Sequence, residues 1–221
     1  EVLNCFSRNQ PLGVSEISQE LNLYKSNVHN ILSTFKAMEY LEQDEQTGKY
    51  RLGAGVFALC RALSDSFSIT DIAAPYMREI GQESNEIVYL AIPHEDDVIY
   101  LEAIYPKESM RPARPLLGER HKMYCTSVGK AMLAQLEPEV IEDYIHRPLK
   151  PITDYTITDP EALRRDLVLT RKRGYAFDNM EVEFGVKCVG VPILNRKGKV
   201  EAAISISCPS LRMSDARIPV F

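Results

Sequence analysis

The chain has 221 residues, a formal net charge of −5 and 45% hydrophobic residues, which is ordinary for a globular protein of one large or two small domains. No apolar run approaches the roughly 20 residues that span a bilayer, and no basic-then-apolar leader opens the chain, so neither a membrane protein nor a secreted one is expected. The five cysteines (Cys5, Cys60, Cys125, Cys188, Cys208) show no CxxC or Cys/His spacing, which speaks against zinc and for free thiols in a reducing cytoplasm, with no metal and no cofactor.

The chain begins inside a helical pattern (Val2, Leu3, Phe6) without an initiator Met, and both ends read as cut. A first helix over 1–9 is broken by Asn9-Gln10-Pro11. Ser15 reads as the cap of a second helix ending at Leu21, with Glu16 near its positive end. A third helix opens at Lys25-Ser26-Asn27, with Ser26 as its cap. Val28, Ile31, Leu32, Phe35 and Met38 recur at helical spacing and form one apolar stripe. The opposite face carries Ser26, Asn27, His29, Asn30 and Ser33, and no Asp or Glu occurs from Leu21 to Met38. Short donors without carboxylates suit a groove lined with phosphates and base edges. Residues 40–43 and 48–52 read as two strands joined by an Asp44–Gly48 hairpin turn. Residues 1–53 are therefore predicted to be a winged helix-turn-helix. Lys25, Ser26, Asn27, His29, Asn30 and Ser33 are its expected DNA contacts, and Lys49 and Arg51 on the wing are expected to touch phosphate. Five basic residues against seven acidic ones in 1–53 exclude a strong non-specific binder, and leave room for a dimeric reader with local positive patches.

Residues 55–66 form an amphipathic helix with Val56, Phe57, Leu59, Cys60 and Leu63 apolar. It reads either as a connecting helix and dimer seam, within a linker over 54–68, or as a core helix. A further helix covers about 70–82. Beyond Asn85 the pattern turns to strands at 86–93 and 97–104, then helices at about 127–136, 138–146 and 159–173, the last capped by Thr158 or Asp159 and ended by Gly174. Strands at 187–195 and 199–208 close the chain. Residues 69–221 are thus predicted to be a mostly antiparallel sheet with helices on its faces.

The last two strands have an unusual face. Alternation places Ile204 and Ile206 on one side and Ala203, Ser205 and Ser207 on the other; likewise Val189, Val191 and Ile193 oppose Cys188, Gly190 and Pro192. If these strands pair, one face is lined with small, partly polar groups. That face either leaves room for a ligand or receives a closely packed helix. The segment Cys125-Thr126-Ser127-Val128-Gly129-Lys130-Ala131 begins a helix, and the N–H groups of Ser127, Val128 and Gly129 are expected to face an anion. Asp178 follows Gly-Tyr-Ala-Phe where the chain re-enters the sheet. It is either a solvated turn residue or an acceptor for ligand hydroxyls. His94, His121 and His146 are isolated, and no nucleophile–base–orienter set is present.

Four stretches together are identified as those of the IclR family of bacterial transcriptional regulators: LNLYKSNVHNILSTFKAMEYLEQDEQTGKYRLG at 21–53, CTSVGKAMLA at 125–134, RGYAFDNMEVEFGVKCVGVPIL at 173–194 and VEAAISIS at 200–207. The resemblance spans essentially the whole chain. It implies an α+β protein: an N-terminal winged helix-turn-helix, a linker helix and a C-terminal GAF-like antiparallel sheet flanked by helices, in dimers that pair into tetramers. It implies an effector site at Ser127, Val128, Gly129, Asp178, Cys188, Ser205 and Ser207, with lid positions Met110 and Ala113, for small organic acids, sugar acids or aromatic compounds. The chain departs from the family pattern in three places. The reading helix has Ser26-Asn27 and Asn30 where Ser-Thr and an Arg are usual. Glu39 stands where a Gly commonly precedes the wing. Ser127 replaces a smaller or apolar residue.

The expected function is ligand-responsive DNA binding, with a double-stranded operator and a small carboxylate as partners, and no enzyme activity. Two other readings stay open. One is a thiol enzyme using Cys125 or Cys188, with Lys130 or Lys187 nearby and the winged helix as a docking module. The other is a constitutive DNA binder with a closed pocket.

Overall fold

Helix α1 (Val2–Arg8), helix α2 (Val14–Leu21) and helix α3 (Lys25–Ala37) fold over one small core built from Val2, Phe6, Ile17, Val28 and Leu32. Strands β1 (Leu41–Gln43) and β2 (Tyr50–Leu52) pair antiparallel and close it with Leu41 and Tyr50. The computed structural model describes residues 1–66, 68–106, 116–213 and 218, without the side chains of 8, 63–66 and 68, and falls into two compact units, Glu1–Ser68 and Ile69–Phe221. Met110 and Ala113 lie outside the described residues.

The caps of the first unit differ from the sequence expectation. Helix α2 starts at Gly13, whose N–H donates to Glu16 Oε2 at 2.6 Å, so Ser15 already lies inside the first turn. Helix α3 starts after Tyr24, whose carbonyl accepts from the N–H groups of Asn27 and Val28, and Ser26 is a helical residue rather than a cap. The apolar stripe ends at Phe35: Met38 is the C-cap and 50% exposed. Glu39 then takes a left-handed φ of 59°, which turns the chain into the wing. In the wing turn, Asp44 Oδ1 accepts from the N–H of Gln46 and both the N–H and the hydroxyl of Thr47. Helix α4 (Gly55–Ser66) follows.

The second unit is built on a six-stranded sheet, β5-β4-β3-β8-β7-β6, in which every neighbouring pair is antiparallel. Its strands are β3 (Ile87–His94), β4 (Asp97–Ile104), β5 (Arg120–Lys122), β6 (Ala176–Asn179), β7 (Val186–Leu194) and β8 (Val200–Pro209). The edge strands β5 and β6, of 3 and 4 residues, are too short to show a two-residue period, which is why the sequence pattern missed them. Helix α5 (Ser68–Ser84) covers one face, with Ala73 and Met77 against Val88, Leu90, Ile204 and Ile206. Helices α6 (Ser127–Leu133), α7 (Pro138–Ile145) and α8 (Pro160–Arg173) lie on the other.

Helix α6 is wholly buried and ends at Leu133, shorter than its apolar run suggested. Its N-cap is Thr126, and α8 is capped by Asp159, whose side chain accepts from Ala162 N–H at 2.7 Å. Gly174 ends α8 at a left-handed φ of 85°, as its position just past the last helical residue predicts.

Candidate functional site

Strand register brings the small residues together. Cys188 on β7 pairs with Ser207 on β8, Gly190 with Ser205, and Asp178 on β6 with Cys188. Strand β3 continues the row, placing Tyr89 beside Ser205 and Ile87 beside Ser207. This face does both things the sequence left open. At Gly190 it receives the start of α6, and beside that contact it walls a cavity of about 720 Å³. Ser127, Asp178, Cys188, Ser205 and Ser207 line the cavity, together with Tyr89, Tyr100, His121 and Thr126. The volume is within the range of small-molecule sites.

One wall is aromatic: the Tyr89 and Tyr100 rings meet edge-on at 5.3 Å, and Tyr100 meets His121 at 5.6 Å. The other wall is polar. Cys188 Sγ donates to Ser207 Oγ at 3.3 Å, and Ser205 is buried in the same row. Val128 and Gly129 are not part of the lining. The N–H of Gly129 donates to Thr126 Oγ1 at 3.1 Å, so the anion contact expected of it is already taken by the helix cap; Thr126 and Ser127 are the residues of this segment that face the cavity.

Asp178 is buried, not a solvated turn residue. Its Oδ1 accepts the N–H of Glu181 at 2.7 Å. Burial, reinforced by the Glu181 carboxylate, pushes its carboxyl up to about 7. Behind it lies Lys130, the one charged residue in α6. Its Nζ pairs with Glu181 Oε1 at 2.5 Å and Asp166 Oδ2 at 2.8 Å and donates to the Phe177 carbonyl at 2.5 Å. Burial disfavours the ammonium, and the two carboxylates outweigh it and hold it charged.

The thiol-enzyme reading fails here. Burial pushes Cys125 up to about 12 and Cys188 well above the ordinary thiol range, and Asp178 pushes both further. Of the two nearby cations, Lys130 is committed to two carboxylates and Lys187 Nζ lies over the Phe177 ring at 5.7 Å.

In the first unit Lys25, Ser26, Asn27, His29, Asn30 and Ser33 are all exposed. On the wing, Lys49 pairs with Glu16 at 2.8 Å and Arg51 with Glu42 at 3.0 Å. In α4, Phe57 is 78% exposed, Cys60 is exposed and Val56 half-buried, while the side chain of Leu63 lies outside the described residues.

Sequence reasoning did not find the aromatic wall, because Tyr89 and Tyr100 meet only through the β3–β4 register. It also passed over the Lys130 cluster as a binding element, although a lysine flanked by Val128, Ala131, Met132 and Leu133 carries a signal: charges are not buried without partners.

A helix-turn-helix unit with a wing, followed by a sheet-and-helix unit around a small-molecule-sized cavity, is the build of a bacterial transcriptional regulator. Two family models match the chain: the IclR helix-turn-helix domain over residues 1–45 and the bacterial transcriptional regulator IclR C-terminal domain over residues 61–221. The chain belongs to the IclR family, with a DNA-binding helix-turn-helix and an effector-binding C-terminal domain. It is 35% identical to the HTH-type transcriptional regulator BhcR of Paracoccus denitrificans, over 99% of this chain and 78% of that protein. It is 32% identical to the transcriptional repressor IclR of Escherichia coli, over 96% of this chain and 78% of that protein. An IclR homologue from Microbacterium hydrocarbonoxydans, solved in complex with 4-hydroxybenzoate, matches with a TM-score of 0.86 and 28% identity, over 99% of this chain and 90% of that one. These relatives are regulators, and the family is not one of enzymes. Among the described residues no helix is long and apolar enough to cross a membrane.

Proposed function

We propose that this protein is a cytoplasmic regulator whose operator binding responds to a small hydroxylated or carbonyl-bearing carboxylate held in the cavity of its second unit. The observation that carries this reading is one cavity bounded by three kinds of surface: the hydroxyls of Ser127, Ser205 and Ser207, the Asp178 carboxyl, and the Tyr89–Tyr100 wall. Hydroxyls and a carboxyl fix the orientation of a polyoxygenated ligand, and the aromatic wall takes its apolar body. At about 720 Å³ the space exceeds the needs of a two- or three-carbon acid, which favours a sugar acid or an aromatic acid. The complex of the Microbacterium homologue with 4-hydroxybenzoate supports the aromatic class as a first probe.

Residues 1–53 act as the DNA reader, with Lys25, Ser26, Asn27, His29, Asn30 and Ser33 toward the groove and Lys49 and Arg51 toward phosphate. Residues 54–68 serve as linker and 69–221 as effector domain. A two-fold operator needs two reading heads, so the working form is a homodimer or homotetramer joined through the apolar side of α4. Calorimetry with 4-hydroxybenzoate and a panel of sugar acids tests the ligand site. Loss of one charged hydrogen bond costs on the order of 1.5–3 kcal/mol, so Asp178→Ala should weaken binding roughly ten- to a hundredfold and leave DNA affinity unchanged. Ser205→Ala should act in the same direction to a smaller extent. Unchanged affinity in both variants places the site elsewhere.

A further inference from the structure

The turn that carries Asp178 is pinned from several sides. Lys130 holds the Phe177 carbonyl and the Glu181 carboxylate, Thr156 Oγ1 donates to the Glu181 carbonyl at 2.7 Å, and Thr153 Oγ1 donates to the Met180 carbonyl at 2.7 Å. Met180 itself sits at a left-handed φ of 63°. The link from Lys130 to the cavity is therefore short: ammonium to Glu181 side chain, Glu181 N–H to Asp178 Oδ1, and Asp178 to the cavity wall.

Three carboxyl groups, those of Asp166, Asp178 and Glu181, share this region with Lys130; Arg173 reaches Asp166 at 3.7 Å. Lys130 touches Asp166 and Glu181, and Asp178 receives only the amide of Glu181 from this cluster. A buried carboxylate without its own cation takes up a proton more readily than it stays charged. We propose that Lys130 is a positioning residue for the cavity, acting through Glu181 to fix both the place and the charge of the Asp178 carboxyl, so that an anionic ligand enters together with a proton. The ligand half of this inference rests on the effector reading above.

The other groups facing Asp178 fit such a balance. Cys188 on β7 is a thiol held neutral by burial, as is Cys125 before α6, and the Tyr100 phenol on β4 is also raised by burial. Glu119, Arg120 and His121 at or beside β5, Glu183 after the turn, and Glu86 and Arg212, paired at 2.6 Å, line the same cavity. Burial above all, and next the negative Glu181, pushes the Asp178 carboxyl up to about 7, while Lys130 opposes the rise. Protonated, it donates a hydrogen bond to a ligand carboxylate that would otherwise repel it.

The test is the side-chain carboxyl titration of Asp178, followed by NMR in the full chain labelled with 13C-aspartate and assigned by its loss in Asp178→Asn. The wild-type midpoint is expected near neutral pH. Glu181→Gln removes the neighbouring negative charge and keeps the backbone donor, and should move the midpoint down by roughly a unit or more. Lys130→Met removes the opposing cation and should move it up, and Lys130→Arg should restore it. A purely structural role predicts no shift, or shifts of the same sign in Glu181→Gln and Lys130→Met, and either result overturns the proposal. If Lys130→Met does not fold, Glu181→Gln decides alone: an unmoved midpoint is fatal. Calorimetry with 4-hydroxybenzoate at pH 7, in two buffers of different ionisation enthalpy, should show net proton uptake on binding. Binding without uptake overturns the coupling. Absence of binding heat with the midpoint shifts intact counts against the ligand reading and leaves the clamp supported.

Discussion

A Cβ placed on Gly190 would lie 2.7 Å from both the carbonyl carbon and the carbonyl oxygen of Ser127. The sheet and the start of α6 therefore touch backbone to backbone at one point, and the cavity opens beside it. Gly190→Ala cannot be absorbed by a side-chain movement, because the obstructing atoms are main chain. It should displace the 126–128 segment and destabilise the protein by about 1–3 kcal/mol, the usual cost of overpacking. Thermal unfolding measures the loss, and calorimetry should show weakened ligand binding. A variant with unchanged melting and affinity would mean that helix and sheet do not approach this closely.

The wing cations are partly neutralised within the unit. Arg51 donates from Nε and Nη2 to Glu42 Oε2, and Lys49 from Nζ to Glu16 Oε1. Exposed pairs of this kind are worth 1 kcal/mol or less and open readily to a phosphate. Glu42→Gln should therefore raise affinity for a random-sequence duplex and steepen its salt dependence. Arg51→Ala should lower affinity and reduce the slope by about one. Fluorescence anisotropy at several salt concentrations measures both, and equal slopes in the two variants and the parent would remove Arg51 from the phosphate contacts.

Glu39 is an L-residue held at φ 59°, a backbone conformation that favours glycine. Its carbonyl accepts the N–H of Gly55, and a Cβ on Gly53 would come within 2.4 Å of the same oxygen, so the backbone there has little room to relax. Left-handed backbone costs an L-residue roughly 1–2 kcal/mol, partly offset by the greater unfolded-state freedom of glycine. Glu39→Gly should stabilise the first unit by about 0.5–1 kcal/mol, read from denaturant unfolding.

The raised carboxyl of Asp178 makes stability depend on pH with a defined sign. Its ordinary value is 3.8, and burial and Glu181 bring it to about 7 in the fold. The folded state thus prefers the protonated form. The resulting stabilisation is complete below about 3.8 and is lost as pH rises through 7. Asp178→Asn, always neutral, escapes that loss. Its melting temperature relative to the parent should rise from pH 5 to about pH 7 and level off above that, and a flat difference across this range would show that Asp178 is ionised throughout.

In α4, Phe57 is 78% exposed, and Cys60, one turn further along the same side, is exposed as well. An apolar helix side of this kind is expected to be covered by a second copy. Phe57→Asp should shift the sedimentation of the protein to monomer and abolish cooperative operator binding. An oligomer that survives this substitution and still binds DNA excludes α4 as the seam.

Much was legible in the residues alone. The 3.6-residue stripe from Val28 to Phe35 and the acid-free face opposite it defined the reading helix, since helical period and charge are local properties. The alternation of Ile204 and Ile206 with Ser205 and Ser207 identified a face lined with small groups, since strand period is local too. The sequence could not say how that face was used, because that depends on register: only the pairing of Gly190 with Ser205 and Cys188 with Ser207 seats α6 at one point and leaves a cavity at the next. Tertiary structure likewise committed the Gly129 N–H, expected to face an anion, to the Thr126 cap. It brought Lys130 to Glu181 across 51 positions of chain and buried Asp178, which pushes its carboxyl upward, instead of leaving it at the surface. Burial and long-range pairing set charge, and neither is a property of a short stretch of residues.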